Sequence, residues 1–499
     1  MKKFVFAFLL FLISLSAGRS YASNIAVTLD NPAITSQNTS AQTAAVQFDI
    51  SWDNSWRDAN APSTTANYDA AWVFVKYSTD SGATWAHATL KASGTNPTGF
   101  LQGTGTALDI VVPTDKVGAF LQRSSTATGS GSVSTTGIKL VWDWSGAKLS
   151  SDGVTAVTGS TTVRVKVFAI EMVYVPTGSF YAGSGGTGTG EFTKTLINVA
   201  TATTAPSGTP VSGGYPSGQT APANDSWPNG YSAFYIMKYD LSQQGYVDFF
   251  NTLTSTQKTL RDITGNDINL GGKNSQAAVY RNTLTWAGGS AAASAGANAY
   301  VSCNYLAWAD LAAYAAWAGL RPFTELEYEK ACRGTVAAVA DEYAWGSINI
   351  TGVTAITNAG ANNETNTNIG ENCAYNNAAG VQGPMRNGFA ATATSTRKES
   401  GASYWGVMEL SGNLYHRVVS IGNATGRAFT GLHGNGTLNS SGDANVTNWP
   451  GTNAVGGGFR GSGWSDTVGE ARVSDRLYAA TTVLTRAKDY GARCARTSP

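Results

Sequence analysis

Short runs of alternating apolar and polar residues dominate the first third of the chain. Val46-Gln47-Phe48-Asp49-Ile50-Ser51-Trp52 alternates with period two, and Val163-Arg164-Val165-Lys166-Val167-Phe168 does so clearly. Ala71-Trp72-Val73-Phe74-Val75-Lys76-Tyr77 and Ile138-Lys139-Leu140-Val141-Trp142-Asp143-Trp144 follow the pattern in part. Period two places successive side chains on opposite faces of a strand, and Gly/Ser/Thr/Asp-rich segments between the runs supply turns. Several short strands at this spacing predict an immunoglobulin- or fibronectin-like sandwich over residues 23–168. The last run enters Glu171 almost directly, so this module and the next, 169–499, are expected to pack together.

Beyond residue 169 the pattern is α+β and irregular. Residues 243–253 predict a helix capped by Ser242. Leu306, Trp308, Leu311, Tyr314, Ala315 and Trp317 predict a mostly apolar helix over 306–318, which Gly319 can stop in a left-handed conformation. Thr324 followed by Glu327 has the spacing of a capping box and opens a helix over 325–332. Segments 182–229, 350–390 and 422–457 are rich in Gly, Thr, Ser, Asn and Pro and predict long loops.

Residues 1–22 have the layout of a secretory signal. Lys2 and Lys3 precede the apolar run Phe4–Leu15, and Ser20-Tyr21-Ala22 offers small residues for cleavage. That run is too short to span a bilayer, and no later segment is long enough, so membrane insertion is not expected. The expected location is outside the cell, secreted or at its surface. The chain holds 33 basic and 32 acidic residues; losing Lys2, Lys3 and Arg19 with the signal leaves a slight acid excess. That balance gives no electrostatic reason to bind nucleic acid. The 42% hydrophobic share and 14 Trp exclude disorder. Cys303, Cys332, Cys373 and Cys494 allow two bridges in three connectivities, or four buried thiols, the favoured expectation.

One block is more specific. Gly461-Ser462-Gly463-Trp464, Ala471-Arg472-Val473-Ser474-Asp475-Arg476 and Gly491-Ala492-Arg493-Cys494 follow one another near the end. Upstream lie Glu171–Phe180, Phe234–Ser242, Leu320–Glu329, Ala344-Trp345-Gly346 and Gly406–Leu414. In this order the blocks resemble the formylglycine-generating enzymes, or sulfatase-modifying factors, over the last two thirds of the chain. The resemblance implies a loop-rich C-type-lectin-like fold for 169–499. It also implies a mechanism in which two enzyme thiolates hold copper(I). Here those positions carry Asp466, a hard oxygen donor, and Ala471, no donor. Copper(I) prefers sulfur, so no copper and no catalytic residue are expected. In the family, the equivalents of Cys332 and Cys494 pair with cysteines near Arg476 and at Ala315; both partners are absent here.

The resemblance further implies calcium. One set would be Asn372, the Cys373 carbonyl, Asn387 and the Phe389 carbonyl. A second would be Glu409, the Gly412 and Leu414 carbonyls and His416. Oxygen cages suit this ion, but Asn387 and His416 stand where the family has acids, and the Asn side chains could simply bond loop backbone. Arg460, Arg472, Asp475 and Arg476 read as a ligand clamp or as an internal ion network, the latter favoured. His87, His416 and His433 lack metal-ligand spacing and read as hydrogen-bonded histidines. Trp345, Trp405 and Trp464 read as core, with Trp464 nearest an exposed pocket by its family position. In variable ligand-binding proteins of the same fold class, the segment after the Gly-Ser-Trp turn carries the contacts. The candidate ligand residues are therefore Trp464, Ser465, Asp466, Thr467, Arg472, Arg476 and Tyr490, with Thr481, Thr482 and Leu484 on the same surface.

The expectation is a pseudoenzyme: a non-catalytic binding or structural protein whose partner is an extracellular glycan, a protein or further copies of itself. The alternatives are a divergent metal-dependent oxidase and an extracellular sheath or matrix subunit.

Overall fold

In the computed structural model the described residues are 19–22, 24–28, 32–201, 220–265, 267, 269–378 and 381–499. The apolar run of the expected signal, and residues 202–219 of the expected excursion, lie outside them. The fold is mostly β, built on two large antiparallel sheets. Six strands form one sheet, in the order Arg19–Ala22, Ile25–Thr28, Thr43–Arg57, Gly129–Asp143, Thr104–Gly105, with Ala33–Asn38 added on Thr43–Arg57. Eight form the other: Ala495–Thr497, Phe234–Met237, Arg164–Val175, Asp69–Ser78, Ala119–Arg123, Leu108–Val112, Gly94–Thr95, with Ala86–His87 added on Asp69–Ser78.

Asp69–Ser78 shows why the layers stack as they do. All ten residues are buried, and the pleat sends alternate side chains two ways. Ala71, Val73, Val75 and Tyr77 join an apolar cluster with Val46, Phe48, Ile50 and Trp52 of the other sheet. Ala70, Trp72 and Phe74 join a second cluster with Leu311, Tyr314 and Trp317 of the helix Trp308–Ala318. The eight-stranded sheet is thus the middle layer between the smaller sheet and the helical part. Trp72 Nε1 donates to the Ala318 carbonyl at 2.7 Å, and Lys76 Nζ to the carbonyls of Trp317 (2.8 Å) and Gly436 (2.6 Å).

The expected division at 168/169 falls inside one strand. Arg164–Val175 runs unbroken, pairing with Asp69–Ser78 through Val173 and with Phe234–Met237 from Met172 onward. No turn residue interrupts it, and apolar cover exists on both faces, so nothing ends the strand at the boundary.

The helices follow their sequence signals. Gln243–Phe250 starts at Ser242, whose side chain accepts from the Gly245 amide. Trp308–Ala318 is wholly buried and stops at Gly319 in the left-handed conformation. Glu325–Arg333 opens with the reciprocal Thr324/Glu327 box. All four cysteines are buried and free. Among the described residues no helix is long and apolar enough to cross a membrane.

Candidate functional site

The signature segment forms a tight turn and then a partly open face. Gly461 and Ser462 both take positive φ, and a Cβ on Gly463 would lie 2.7 Å from Asp489 Cβ and 2.8 Å from Asp466 Oδ2. The turn delivers Trp464 inward, not outward. Its ring is fully buried, its Nε1 donates to the Lys488 carbonyl at 3.0 Å, and Lys488 Nζ lies 4.5 Å from the ring centroid. The expectation that Trp464 borders an exposed pocket is corrected: it is a packing residue beneath the face. Trp345 and Trp405 are likewise core.

Asn413 takes the left-handed conformation, with φ 68°, and anchors the turn. It receives the Trp464 amide on its carbonyl (2.8 Å) and donates from Nδ2 to Asp240 (3.0 Å) and Ser302 (2.8 Å).

The face itself is built from residues after Trp464. Ser465, Asp466 and Tyr490 are half-buried and Thr467 is exposed. Ser465 Oγ donates to Asp489 at 3.3 Å. Burial pushes the Asp466 carboxyl up to about 7, reinforced by the neighbouring charges of Asp489 and Glu470. Below lies an aromatic floor. Tyr415 donates to Glu470 at 3.0 Å and packs edge-on against Phe459, Tyr478 and Tyr490. Arg417 lies over the rings of Phe459 and Tyr490 and fixes the loop by donating to the Val483 and Thr485 carbonyls. Thr482, Leu484 and Tyr478 are exposed and Thr481 half-buried. Sequence reasoning missed Tyr415, Glu470, Tyr478 and Asp489. The acids at 466 and 470, one helical-turn spacing apart but in a loop, offered no pattern; only the fold brings Asp489 beside them.

The two arginines of the candidate set part company. Arg476 is buried, with its Nε 2.7 Å from Glu325 and its guanidinium over the Phe192 ring. It is corrected from ligand residue to internal tie. Glu325 also meets Arg460 at 3.2 Å; Arg460 meets Glu329 at 2.7 Å; Glu329 meets Arg333 at 3.1 Å, and Arg333 meets Glu342. This alternation of charges is the internal network favoured above. Arg472 is half-buried, pairs with Asp341 at 3.2 Å and donates to Thr187 at 3.0 Å.

No thiol is exposed on the face, because all four cysteines are buried. Ala471 is fully buried, its carbonyl accepting from Ser411 Oγ. Burial pushes all four thiols up, that of Cys332 to about 12. A thiol held protonated is a poor nucleophile and a poor metal ligand.

The residues expected to hold calcium are engaged in protein hydrogen bonds. Asn372 Oδ1 accepts from the Thr351 amide (3.0 Å) while its Nδ2 donates to the Lys398 carbonyl (2.8 Å). Asn387 accepts from Ser302 and donates to the Asp240 carbonyl. The Cys373 carbonyl receives the Val353 amide and that of Phe389 receives Thr365 Oγ1. In the second set the Gly388 amide donates to Glu409 Oε1 at 2.7 Å, and His416 Nε2 lies 2.9 Å from the Glu409 carbonyl. Burial raises the Glu409 carboxyl to about 8 and lowers the His416 imidazole, so both favour their neutral forms. Gly412 and Leu414 flank Asn413 in this turn; a Cβ on Gly412 would meet the Ala374 carbonyl. Among the described residues no three His, Cys, Asp or Glu side chains converge on a metal-sized space. His87 and His433 are hydrogen-bonded, to the Val117 carbonyl and from the Thr497 amide.

A family model described as a sulfatase-modifying factor enzyme 1-like domain matches residues 163–498. Among solved structures, variable protein 1 of Treponema denticola is 12% identical, covering 66% of this chain and 96% of its own, with a TM-score of 0.33. A major tropism determinant U1 variant is 16% identical, covering 81% and 83%, with a TM-score of 0.25. No curated protein matches the chain.

Proposed function

The chain belongs to the sulfatase-modifying factor enzyme 1-like family over residues 163–498, and from that premise we propose that it is an exported, non-catalytic binding protein. The single observation that carries this reading is the chemistry at the two signature positions. Asp466 offers a half-buried carboxyl and Ala471 a buried methyl, while every thiol in the chain is sealed in the core. A copper(I) centre needs accessible thiolates, and the face has none to offer.

The sandwich-like N-terminal part serves as a rigid mount, and the face around Asp466, Glu470, Tyr478, Tyr490 and Thr482 contacts an extracellular glycan or protein. Aromatic edges beside hydroxyls and carboxylates suit such contacts, because Tyr supplies area at low entropic cost. Arg472, tethered at the rim, borders this face.

The test is chemical. The purified protein, supplied with copper(I) and a cysteine-containing peptide in air, is expected to leave the peptide's mass unchanged. Conversion of the thiol to an aldehyde would refute the proposal. In parallel, saturable binding on a glycan array that falls with Tyr478→Ala would support the face; equal binding by the variant would remove it.

A further inference from the structure

Eleven of the 14 tryptophans donate their indole N–H to an acceptor within the protein. Among the described residues, Trp142, Trp144 and Trp317 do not. Trp317 is packed among Phe74, Phe168 and Lys76. Trp142 and Trp144 line one half-open cavity of about 140 Å³ at the edge of the two-sheet stack. An indole N–H withdrawn from water without an acceptor is costly, and two around one opening call for an acceptor from outside.

The fold explains the opening. Trp142 pairs with Ala44 across the six-stranded sheet, and both join the apolar cluster between the sheets. The strand Ala33–Asn38 crosses this edge with a bulge between Thr35 and Asn38, where Ser36 takes φ 52°. A bulge bends its strand and disrupts the ladder locally, which leaves the gap beneath uncovered. Loop 157–163 frames the other side. The Val157 amide donates to the Ala147 carbonyl at 2.9 Å, and Gln37 Nε2 donates to the Gly159 carbonyl at 3.2 Å. Ile34, Ala44, Val157 and Val163 supply apolar walls. Thr158 and Ser160, both exposed, and half-buried Thr161 supply hydroxyls at the rim. No lining residue carries a charge.

We propose that this cavity binds an N-acetylated amino sugar by its acetamido group. The methyl meets the aliphatic walls, and the carbonyl oxygen accepts from the unpaired indoles of Trp142 and Trp144. The sugar hydroxyls exchange hydrogen bonds with the rim, where each hydroxyl can both donate and accept. A cavity of about 150 Å³ holds a benzene-sized group, so this one takes the acetamido group and the adjoining ring edge. Uncharged walls select a neutral ligand, because a carboxylate or a free amine would lose water without gaining a partner. A contact this small corresponds to a dissociation constant of about 10⁻³ M. The site is separate from the face around Asp466 and stands if that face binds nothing.

The full chain is titrated with N-acetylglucosamine by ligand-observed NMR, with glucose and glucosamine as comparisons. Saturable binding is expected, with the acetamido methyl receiving the strongest saturation transfer and both comparison sugars binding about tenfold more weakly. Trp142→Phe and Trp144→Phe keep a ring but remove an N–H, and a loss of about fivefold is expected in one or both. Ser160→Trp changes only the exposed rim; it is expected to abolish binding with the melting temperature unchanged, which guards against misfolding of the indole variants. Tyr478→Ala, on the other face, is expected to bind as the wild type does. The proposal is overturned by no binding in the wild type, or by glucose binding equally well. Binding undiminished in both phenylalanine variants, or in Ser160→Trp, also overturns it, as does a loss confined to Tyr478→Ala.

Discussion

Arg460→Ala separates the two readings of the charged signature. Arg460 is 1% exposed and bridges Glu325 and Glu329, while also donating to the Val473 carbonyl at 2.6 Å. Removing it leaves two buried carboxylates short of a partner, though Glu325 keeps Arg476 and Glu329 keeps Arg333. Breaking a buried pair costs about 3–5 kcal/mol; with the remaining guanidiniums in place, the lower end, about 3 kcal/mol, is expected. Arg472→Ala is the internal comparison. Its pair with Asp341 is about a quarter exposed on each side, so the loss should be about 0–1 kcal/mol. Urea unfolding followed by tryptophan fluorescence measures both, since Trp345, Trp405 and Trp464 report on the same region. Equal losses for the two variants, or less than about 1 kcal/mol for Arg460→Ala, would refute the structural reading and restore the clamp.

Three further outcomes follow from the geometry. Burial lowers the Lys76 amine far below its usual 10.5 with no carboxylate beside it; the unfolded chain then binds the extra proton, so stability rises with pH up to about 10.5, and Lys76→Met is expected to flatten that rise in melts across pH 7–10. Asp466 is raised to about 7, so its cost is absent below its ordinary 3.8, builds as pH climbs from there to about 7 and is level above it; Asp466→Asn should stabilise by about 1–2 kcal/mol at pH 8, after discounting for its partial exposure, by a fraction of that at pH 5 and not at all near pH 3. Gly463→Ala places a methyl against Asp489 and should cost about 1–3 kcal/mol in denaturation, with loss of any array signal.

Much of this could be read from the chain because local rules and the fold agree. Ser242, Thr324/Glu327 and Gly319 each mark a helix end by a short-range hydrogen bond or a backbone preference, and each lies where expected. The strands at 46–52 and 163–168 were legible because one face of each is apolar. The strand Arg164–Val175 crosses the expected 168/169 division for a long-range reason: pairing with Asp69–Ser78 carries it to Val173 and pairing with Phe234–Met237 carries it on to Val175. The face was half legible. Asp466 and Tyr490 keep partial exposure beside one another's loops, but whether Trp464 and Arg476 point out or in depends on Lys488 and Glu325, which no spacing along the chain connects to them.

The unbroken strand at 164–175 also governs how this protein can be dissected. A fragment beginning at residue 169 would lack Arg164–Phe168 and the whole Asp69–Ser78 neighbour, baring the ladder edge of Ala169–Val173 and the side of Trp317 that Phe74 covers. Such a piece would carry a raw, apolar seam and should gather into aggregates. The family domain and its β-rich prefix are therefore one unit of expression, and transplanting either into a new host requires moving both.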